Sequence, residues 1–187
     1  MLDRSNVEAY IRNDDLLQMM QADLILARFD GLERDSGTVV EFSMAKFLCK
    51  PTVILRTDFR RQSCTGLSEP YNLMVKNWPR TVEIILDSYM IWARLLAEEQ
   101  ETQDNSEACQ DTMKSELSVM QKSMEEFAKQ VIVGMETALK LDSPYPQEYR
   151  EIVYHAARFN LSSDFAEYLP QSKLDKIIQK LKDNGTL

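Results

Sequence analysis

Apolar and polar residues follow two different patterns along the chain, and the change comes near residue 98. Before that point, short apolar runs bounded by turn residues predict buried strands at 24–29, 52–55 and 81–86. Apolar residues at helical spacing predict helices at 7–21, from about 35 to 48, and at 88–98. Strands that alternate with helices in this way are typical of a parallel α/β sheet.

The second half of the chain is polar and follows the helical period. Residues 99–111 are acidic and nearly free of large apolar side chains, so we interpret them as a linker. Beyond them, apolar spacing predicts helices over 113–141, 148–159 and 173–183, although the heptads of the first are too irregular for a coiled coil. The pattern therefore predicts an α/β domain at 1–98, an acidic linker at 99–111 and a helical extension at 112–187.

The amino-acid composition argues against several classes of function. With 30 acidic against 22 basic residues among 187, the net charge of -8 argues against a binder of nucleic-acid backbones. The three cysteines are widely spaced and form no zinc-ligand pattern, so we expect no zinc site. We expect the thiols to be reduced, which fits the cytoplasm. No apolar stretch is long enough to span a membrane. His155 is the only histidine, so chemistry in the first half must rest on carboxylates, hydroxyls or thiols.

Acidic residues surround the first predicted strand and the helix that follows it. In open α/β sheets, ligands bind beyond the carboxyl ends of the strands, which is where Asp35 and Glu41 are expected. Gly37 between them permits close approach of the backbone. We expect Glu41 in the first turn of the helix, where the dipole stabilises an anion. Asp15 can reach the same crevice through the loop before the strand.

Each of these residues also has a structural interpretation. Thr38 and Glu41 have the spacing of a capping box, and Asp35 can be an ordinary N-cap. Asp15 can be a solvated charge on the helix surface, and Asn72 a turn former. Spacing alone leaves both interpretations open.

The order of the motifs resembles the nucleoside 2-deoxyribosyltransferase family. The matching pieces are the acid Asp15, Ala22-Asp23 before a strand, Asp30-Gly31, the pattern D-x-G-T-x-x-E at 35–41, Lys50-Pro51 before the next strand, Arg56-Thr57-Asp58-Phe59-Arg60 after it, and Asn72-Leu73-Met74. No single piece is specific, but their order and spacing together are. The resemblance implies a flavodoxin-like or Rossmann-like parallel sheet, followed here by the α-helical extension.

The resemblance also implies a role for each matched residue. Glu41 would attack the anomeric carbon of a 2-deoxyribosyl group, Asp15 would protonate or hold the departing base, and Asp35 would contact sugar or base. Asn72 and Met74 would reach into a neighbouring subunit's site, so a homo-oligomer with shared active sites is implied. The substrates would be a deoxynucleoside or deoxynucleotide and a free nucleobase, and no cofactor would be required.

The chain departs from the family pattern at its start. Family members usually begin with strands that carry a Gly-Pro turn and a Tyr that orients the nucleophile, and only 14 residues precede Asp15 here. We expect an incomplete sheet whose open edge is covered by the C-terminal helices or by a partner chain.

Two rival functions stay open at this stage. One is a hydrolase acting on deoxynucleoside 5′-monophosphates, with the phosphate bound by Arg56, Arg60, Arg61 and Ser63. The other is a non-catalytic nucleotide-binding or oligomerising module, which the missing Tyr favours and the retained acids oppose.

Overall fold

One parallel sheet organises the chain. The computed structural model describes residues 4–30, 36–58, 73–104 and 112–187. Its strands are β1 (Ile25–Arg28), β2 (Thr52–Arg56) and β3 (Thr81–Ile85), in the order β1-β2-β3. Ile25 pairs with Thr52, and Thr52 with Thr81. The three predicted strands and the α/β class are confirmed.

Helices account for most of the remaining described residues. They are α1 (Arg4–Gln21), α2 (Ser36–Phe47), α3 (Ser88–Asp104), α4 (Thr112–Lys140), α5 (Gln147–Asn160), α6 (Phe165–Tyr168) and α7 (Gln171–Asp183), with a 3₁₀ turn at Leu73–Val75. The six predicted helices are confirmed, while α6 and the 3₁₀ turn are too short to leave a periodic pattern. Within the described part of the chain, no helix is long and apolar enough to cross a membrane.

The first residues of the predicted linker, 99–104, are helical, because α3 continues to Asp104. Glu and Gln are good helix formers, so a lack of apolar residues here indicates a solvated helix face. That face is tied to α4: the Lys122 ammonium lies 2.6 Å from the Glu99 carboxylate. Arg94 likewise bridges Glu98 and Glu126, at 2.9 and 2.7 Å.

The burial of β2, the middle strand, explains why its sequence is a continuous apolar run. All five residues of β2 are buried, because helices cover both faces of the sheet. On one face, α4 packs Ala138 against Val53, Leu55 and Ile84. Gly134 lets this helix approach closely, since a Cβ there would lie 2.3 Å from Ile84 Cδ1. Part of the predicted helical extension is therefore a layer of the α/β fold.

The other face of the sheet is covered by α2. The rings of Phe29 and Phe42 meet edge to face at 5.6 Å and pack with Ile54. A third cluster joins α1 and α2 to the C-terminal helices; its fully buried members include Met20, Tyr154 and Leu174.

The open edge of the sheet was expected to be covered either by the C-terminal helices or by a partner chain. Among the described residues, β1 pairs only with β2, and Leu26 on β1 stays 42% exposed. The C-terminal helices pack against α1, α2 and Ile25 instead. Coverage by a partner chain stays a prediction.

Two buried lysines, Lys46 and Lys50, lie at the end of the sheet where β2 and β3 begin. The Lys46 ammonium donates to the carbonyls of Lys50 (2.8 Å) and Pro79 (3.0 Å) and to the Thr81 hydroxyl (2.9 Å). The Lys50 ammonium donates to the carbonyl of Ala22 at 2.6 Å. Burial lowers the pKa of Lys50 to about 7 and that of Lys46 to about 8, because a charged ammonium is costly away from water.

Candidate active site

A cleft lies between α1 and α2. Its volume is about 510 Å³, which falls within the usual range for a small-molecule site. The α1 residues that line it share one face of that helix, at positions 8, 11, 12, 15 and 16. The α2 residues do the same, at 36, 37, 40, 41 and 44. Two helical faces therefore form most of the cleft wall.

Three of the polar residues in the wall are acidic, beside Arg12 and Ser36. These acidic residues, Glu8, Asp15 and Glu41, are all exposed, and Gly37 lines the cleft with them. Three of the residues predicted for the site are thus brought together. Glu8 was not predicted, although its distance of seven residues from Asp15 places both on one helical face.

The structure separates the two members of the acidic pair at positions 14 and 15. The Tyr168 hydroxyl donates to Asp14 Oδ1 at 3.1 Å, and Asp14 is half-buried. Asp15, one residue further along α1, lies on the face that lines the cleft. Asp14 therefore contacts the C-terminal helices, and Asp15 is the member of the pair that a ligand can reach.

The position of Glu41 in its helix corrects the sequence-based expectation. Because α2 begins at Ser36, Glu41 lies in the second turn, and the first turn contains no acidic residue. Stabilisation by the helix dipole falls off within the first turn, so it contributes little here. The capping-box alternative is also wrong, since Thr38 is the third residue of the helix and does not precede it.

Another part of the cleft wall is apolar. Ile11 and Val40 are 54% and 51% exposed, which leaves apolar surface open to a ligand. Met44 and Leu161 line the same wall. Leu161 follows α5, so a residue from the C-terminal half completes a site that is otherwise built from the first.

Hydrogen bonds hold the turn after α5 against α1. Arg12 Nη2 donates to Asp164 Oδ1 at 2.5 Å and to the Ser162 hydroxyl at 2.8 Å. Asn13 Nδ2 donates to Asp164 Oδ2 at 3.0 Å, and the Ser162 hydroxyl also donates to Asp164. These bonds, that from Ser162 most of all, lower the pKa of Asp164. Because they fix positions 162 and 164, they also fix Leu161 in the cleft wall.

A comparison with protein families shows to which family this chain is related. The model of the family described as nucleoside 2-deoxyribosyltransferase matches residues 3–120. This chain belongs to the nucleoside 2-deoxyribosyltransferase family. No curated protein and no solved structure matches it. The matched residues include both helices of the cleft, the sheet, α3 and the start of α4, and membership indicates a glycosyltransferase-type enzyme.

Other residues predicted for the site lie elsewhere. Asp35 and Asn72 fall outside the described residues. Met74 is 78% exposed and does not line the cleft, and its carbonyl accepts a hydrogen bond from the Trp78 indole at 2.9 Å. Its predicted contact with a neighbouring subunit stays a prediction.

Arg56 bears on the hydrolase alternative, which uses it as a phosphate contact. Its side chain is only 2% exposed, and its Nη1 donates to the carbonyl of Phe29 at 2.8 Å. Its Nη2 lies 4.0 Å from the Asp58 carboxylate. A guanidinium in this position ties β2 to the end of β1 and is not presented to a solvent-borne phosphate. Arg60, Arg61 and Ser63 lie outside the described residues.

Proposed function

We propose that this family member cleaves the N-glycosidic bond of a 2′-deoxynucleoside and transfers the deoxyribosyl group to a second nucleobase. One observation supports the proposal above the others: Asp15, Gly37 and Glu41, which match the family pattern in sequence, line the same cleft. Spacing along the chain does not require this for Asp15, since it lies on α1 and the other two lie on α2.

Glu41 is proposed as the nucleophile. Its carboxylate attacks C1′ of the sugar while the bond to the base breaks, and a glycosyl ester forms. Asp15 acts as the general acid and gives a proton to a ring nitrogen of the departing base. The incoming base then attacks C1′ from the opposite side, releases the Glu41 carboxylate and returns a proton to Asp15. Two inversions leave the configuration at C1′ unchanged, as in retaining glycosidases.

The shape of the cleft supports a nucleoside as the ligand. A flat base can lie against the exposed apolar surface of Ile11 and Val40, with Met44 and Leu161 beside it. The sugar then faces the carboxylates, and Glu8 is placed to accept a hydrogen bond from a sugar hydroxyl. An apolar wall with a few polar groups is typical of small-molecule sites.

Base exchange tests the proposal. The protein is incubated with deoxyinosine and adenine, and deoxyadenosine and hypoxanthine are measured by chromatography. We expect Glu41→Gln to lower the exchange rate by roughly a thousandfold or more. We expect Asp15→Asn to lower it by about 10²- to 10⁴-fold. Asp14→Asn, a matched change one residue away, should leave the rate close to that of the wild type, because Asp14 contacts Tyr168.

The same experiment separates the rival functions. Free deoxyribose, or deoxyribose 5′-phosphate from a deoxynucleoside monophosphate, in place of exchange would show a hydrolase. Binding of deoxynucleosides without turnover by the wild type would show a non-catalytic module. Exchange that proceeds unchanged in Glu41→Gln would refute the assignment of the nucleophile.

A further inference from the structure

A cationic side chain, that of Arg12, lines the cleft among the carboxylates, and the proposed reaction gives it no role. Arg12 lies on α1 between Glu8 and Asp15, on the helical face that lines the cleft. Its side chain is 50% exposed, so a ligand can reach it. A guanidinium carries only N–H donors, so Arg12 can bind only a group that offers an acceptor.

Part of the Arg12 guanidinium is already bonded within the chain. Its Nε and Nη2 donate to Asn13 Oδ1 at 3.3 and 3.2 Å, and Nη2 also donates to Ser162 and Asp164. Within the part of the chain that the structure describes, Nη1 donates to no residue, so its N–H groups are left for a ligand. Because the other nitrogens already hold this long side chain in place, binding through Nη1 does not have to order it.

The charges around Arg12 favour a neutral acceptor over an anion. Three carboxylates line the same cleft, and a fourth, that of Asp164, is already paired with Arg12. A phosphate at this position would lie near several negative charges and one guanidinium, and like charges repel at short range. A carbonyl oxygen accepts a hydrogen bond without that repulsion, so it is the better partner for Nη1.

The apolar wall places Arg12 at the base end of the proposed nucleoside. Ile11 precedes Arg12 on α1, and Leu161 precedes Ser162, whose hydroxyl accepts from Arg12. Ile11 and Leu161 belong to the surface proposed to hold the flat base, so Arg12 lies at an edge of that base. Asp15, the proposed general acid, is three residues further along α1, a spacing at which side chains are neighbours. The base should therefore offer a carbonyl oxygen beside a ring nitrogen that accepts a proton.

Among the purines, the 6-oxopurines meet this requirement. Guanine and hypoxanthine present O6 and N7 as neighbouring acceptors on one edge. Adenine keeps N7 but carries an amino donor at position 6, which would face the N–H donors of Arg12. Two donors that face each other lose the hydrogen bond and leave both groups unsatisfied, which costs free energy in a site shielded from water.

We propose that Arg12 determines base specificity, and that it selects 6-oxopurine deoxynucleosides over 6-aminopurine ones by donating from Nη1 to O6. This inference rests on the proposed function, because it uses the same cleft and the same general acid. The proton from Asp15 goes to N7, the electrons of the C1′–N9 bond go to the purine ring, and the base leaves as a neutral molecule.

Binding and turnover of two deoxynucleosides test the proposal. Deoxyinosine and deoxyadenosine share the sugar and differ at position 6 of the base. Equilibrium dialysis gives the Kd of each without turnover. Release of hypoxanthine and adenine from an equimolar mixture, with guanine as the shared acceptor, gives the ratio of their kcat/KM values. We expect the wild type to favour deoxyinosine at least about tenfold in both measurements.

Three variants separate specificity from the support of the cleft wall. Arg12→Lys should remove the preference, because its single nitrogen can pair with Asp164 or with O6 and not with both. Arg94→Lys is the matched control, because Arg94 is also ion-paired, is 49% exposed and does not line the cleft; it should keep the wild-type preference. Asp164→Ala should weaken binding of both deoxynucleosides and keep deoxyinosine as the better ligand.

The outcomes distinguish this inference from the proposed function. Base exchange without a preference for deoxyinosine would overturn the role of Arg12 and leave the proposed function standing. So would a preference that survives in Arg12→Lys, or one that Arg94→Lys removes as well. A wild type that neither binds nor turns over either deoxynucleoside would refute the proposed function, and this inference with it.

Discussion

The pH dependence of stability offers a quantitative test of the buried end of the sheet. The proposed change is Lys50→Met, which keeps the length and apolar character of a side chain that is 2% exposed. Burial lowers the pKa of Lys50 from 10.5 to about 7 in the folded state. Between those pH values the unfolded chain binds a proton at this site that the folded chain has lost. The free energy of unfolding must therefore rise with pH in that window.

The size of this pH effect follows from the difference in bound protons between the unfolded and the folded chain. A full difference of one proton changes the free energy of unfolding by about 1.4 kcal/mol per pH unit. Between about pH 7.5 and 9.5, the contribution of Lys50 sums to about 2 to 3 kcal/mol of added stability. The Lys50→Met chain lacks this contribution, while Lys46 contributes equally to both chains. The difference between their slopes isolates Lys50.

Urea denaturation at a series of pH values in that window, with a reductant present, measures both slopes. Lys176→Met serves as the control, because Lys176 is an exposed lysine on α7. We expect the control to follow the wild type and Lys50→Met to show the flatter curve. Parallel curves for the wild type and Lys50→Met would refute the reasoning, since they would mean that Lys50 keeps its proton in the folded protein.

Two further predictions concern the core and the cleft wall. Phe42→Ala should lower the free energy of unfolding by about 3 to 5 kcal/mol, because Phe42 is 2% exposed. Phe47→Ala on the same helix should lower it far less, because Phe47 is 44% exposed. Equal losses for the two variants in urea denaturation would contradict this. Asp164→Ala should free the turn that holds Leu161 and raise KM for the deoxynucleoside more than it lowers kcat; steady-state kinetics that show a loss in kcat alone would argue that the turn does not shape the binding wall.

The sheet was predictable from the sequence because its middle strand is buried on both faces. A parallel strand in that position requires a run of apolar residues, and 52–55 supplies one between Lys50-Pro51 and a polar segment. The linker was not predictable in the same way. Polar composition is shared by linkers and by solvated helix faces, and only the ion pairs of Arg94 and Glu99 with α4 distinguish the two.

The candidate site was predictable in part. Asp15 and Glu41 were found through their motif, and the helical period alone could have added Glu8. The turn of α2 that carries Glu41 depends on where the helix begins, and sequence patterns define such boundaries poorly. Leu161 could not be predicted, because its place depends on bonds between residues far apart in the chain and no local pattern records them.

The hydrogen-bonded ion pair between Arg12 and Asp164 has a consequence for folding kinetics. These residues are 152 positions apart, so the contact closes a loop that comprises most of the chain. Contacts of high sequence separation form late, since the loop entropy must be lost before they add stability. The cleft between α1 and α2 should therefore form before its wall at Leu161. Refolding followed by a probe near α2 should then run ahead of the recovery of ligand binding.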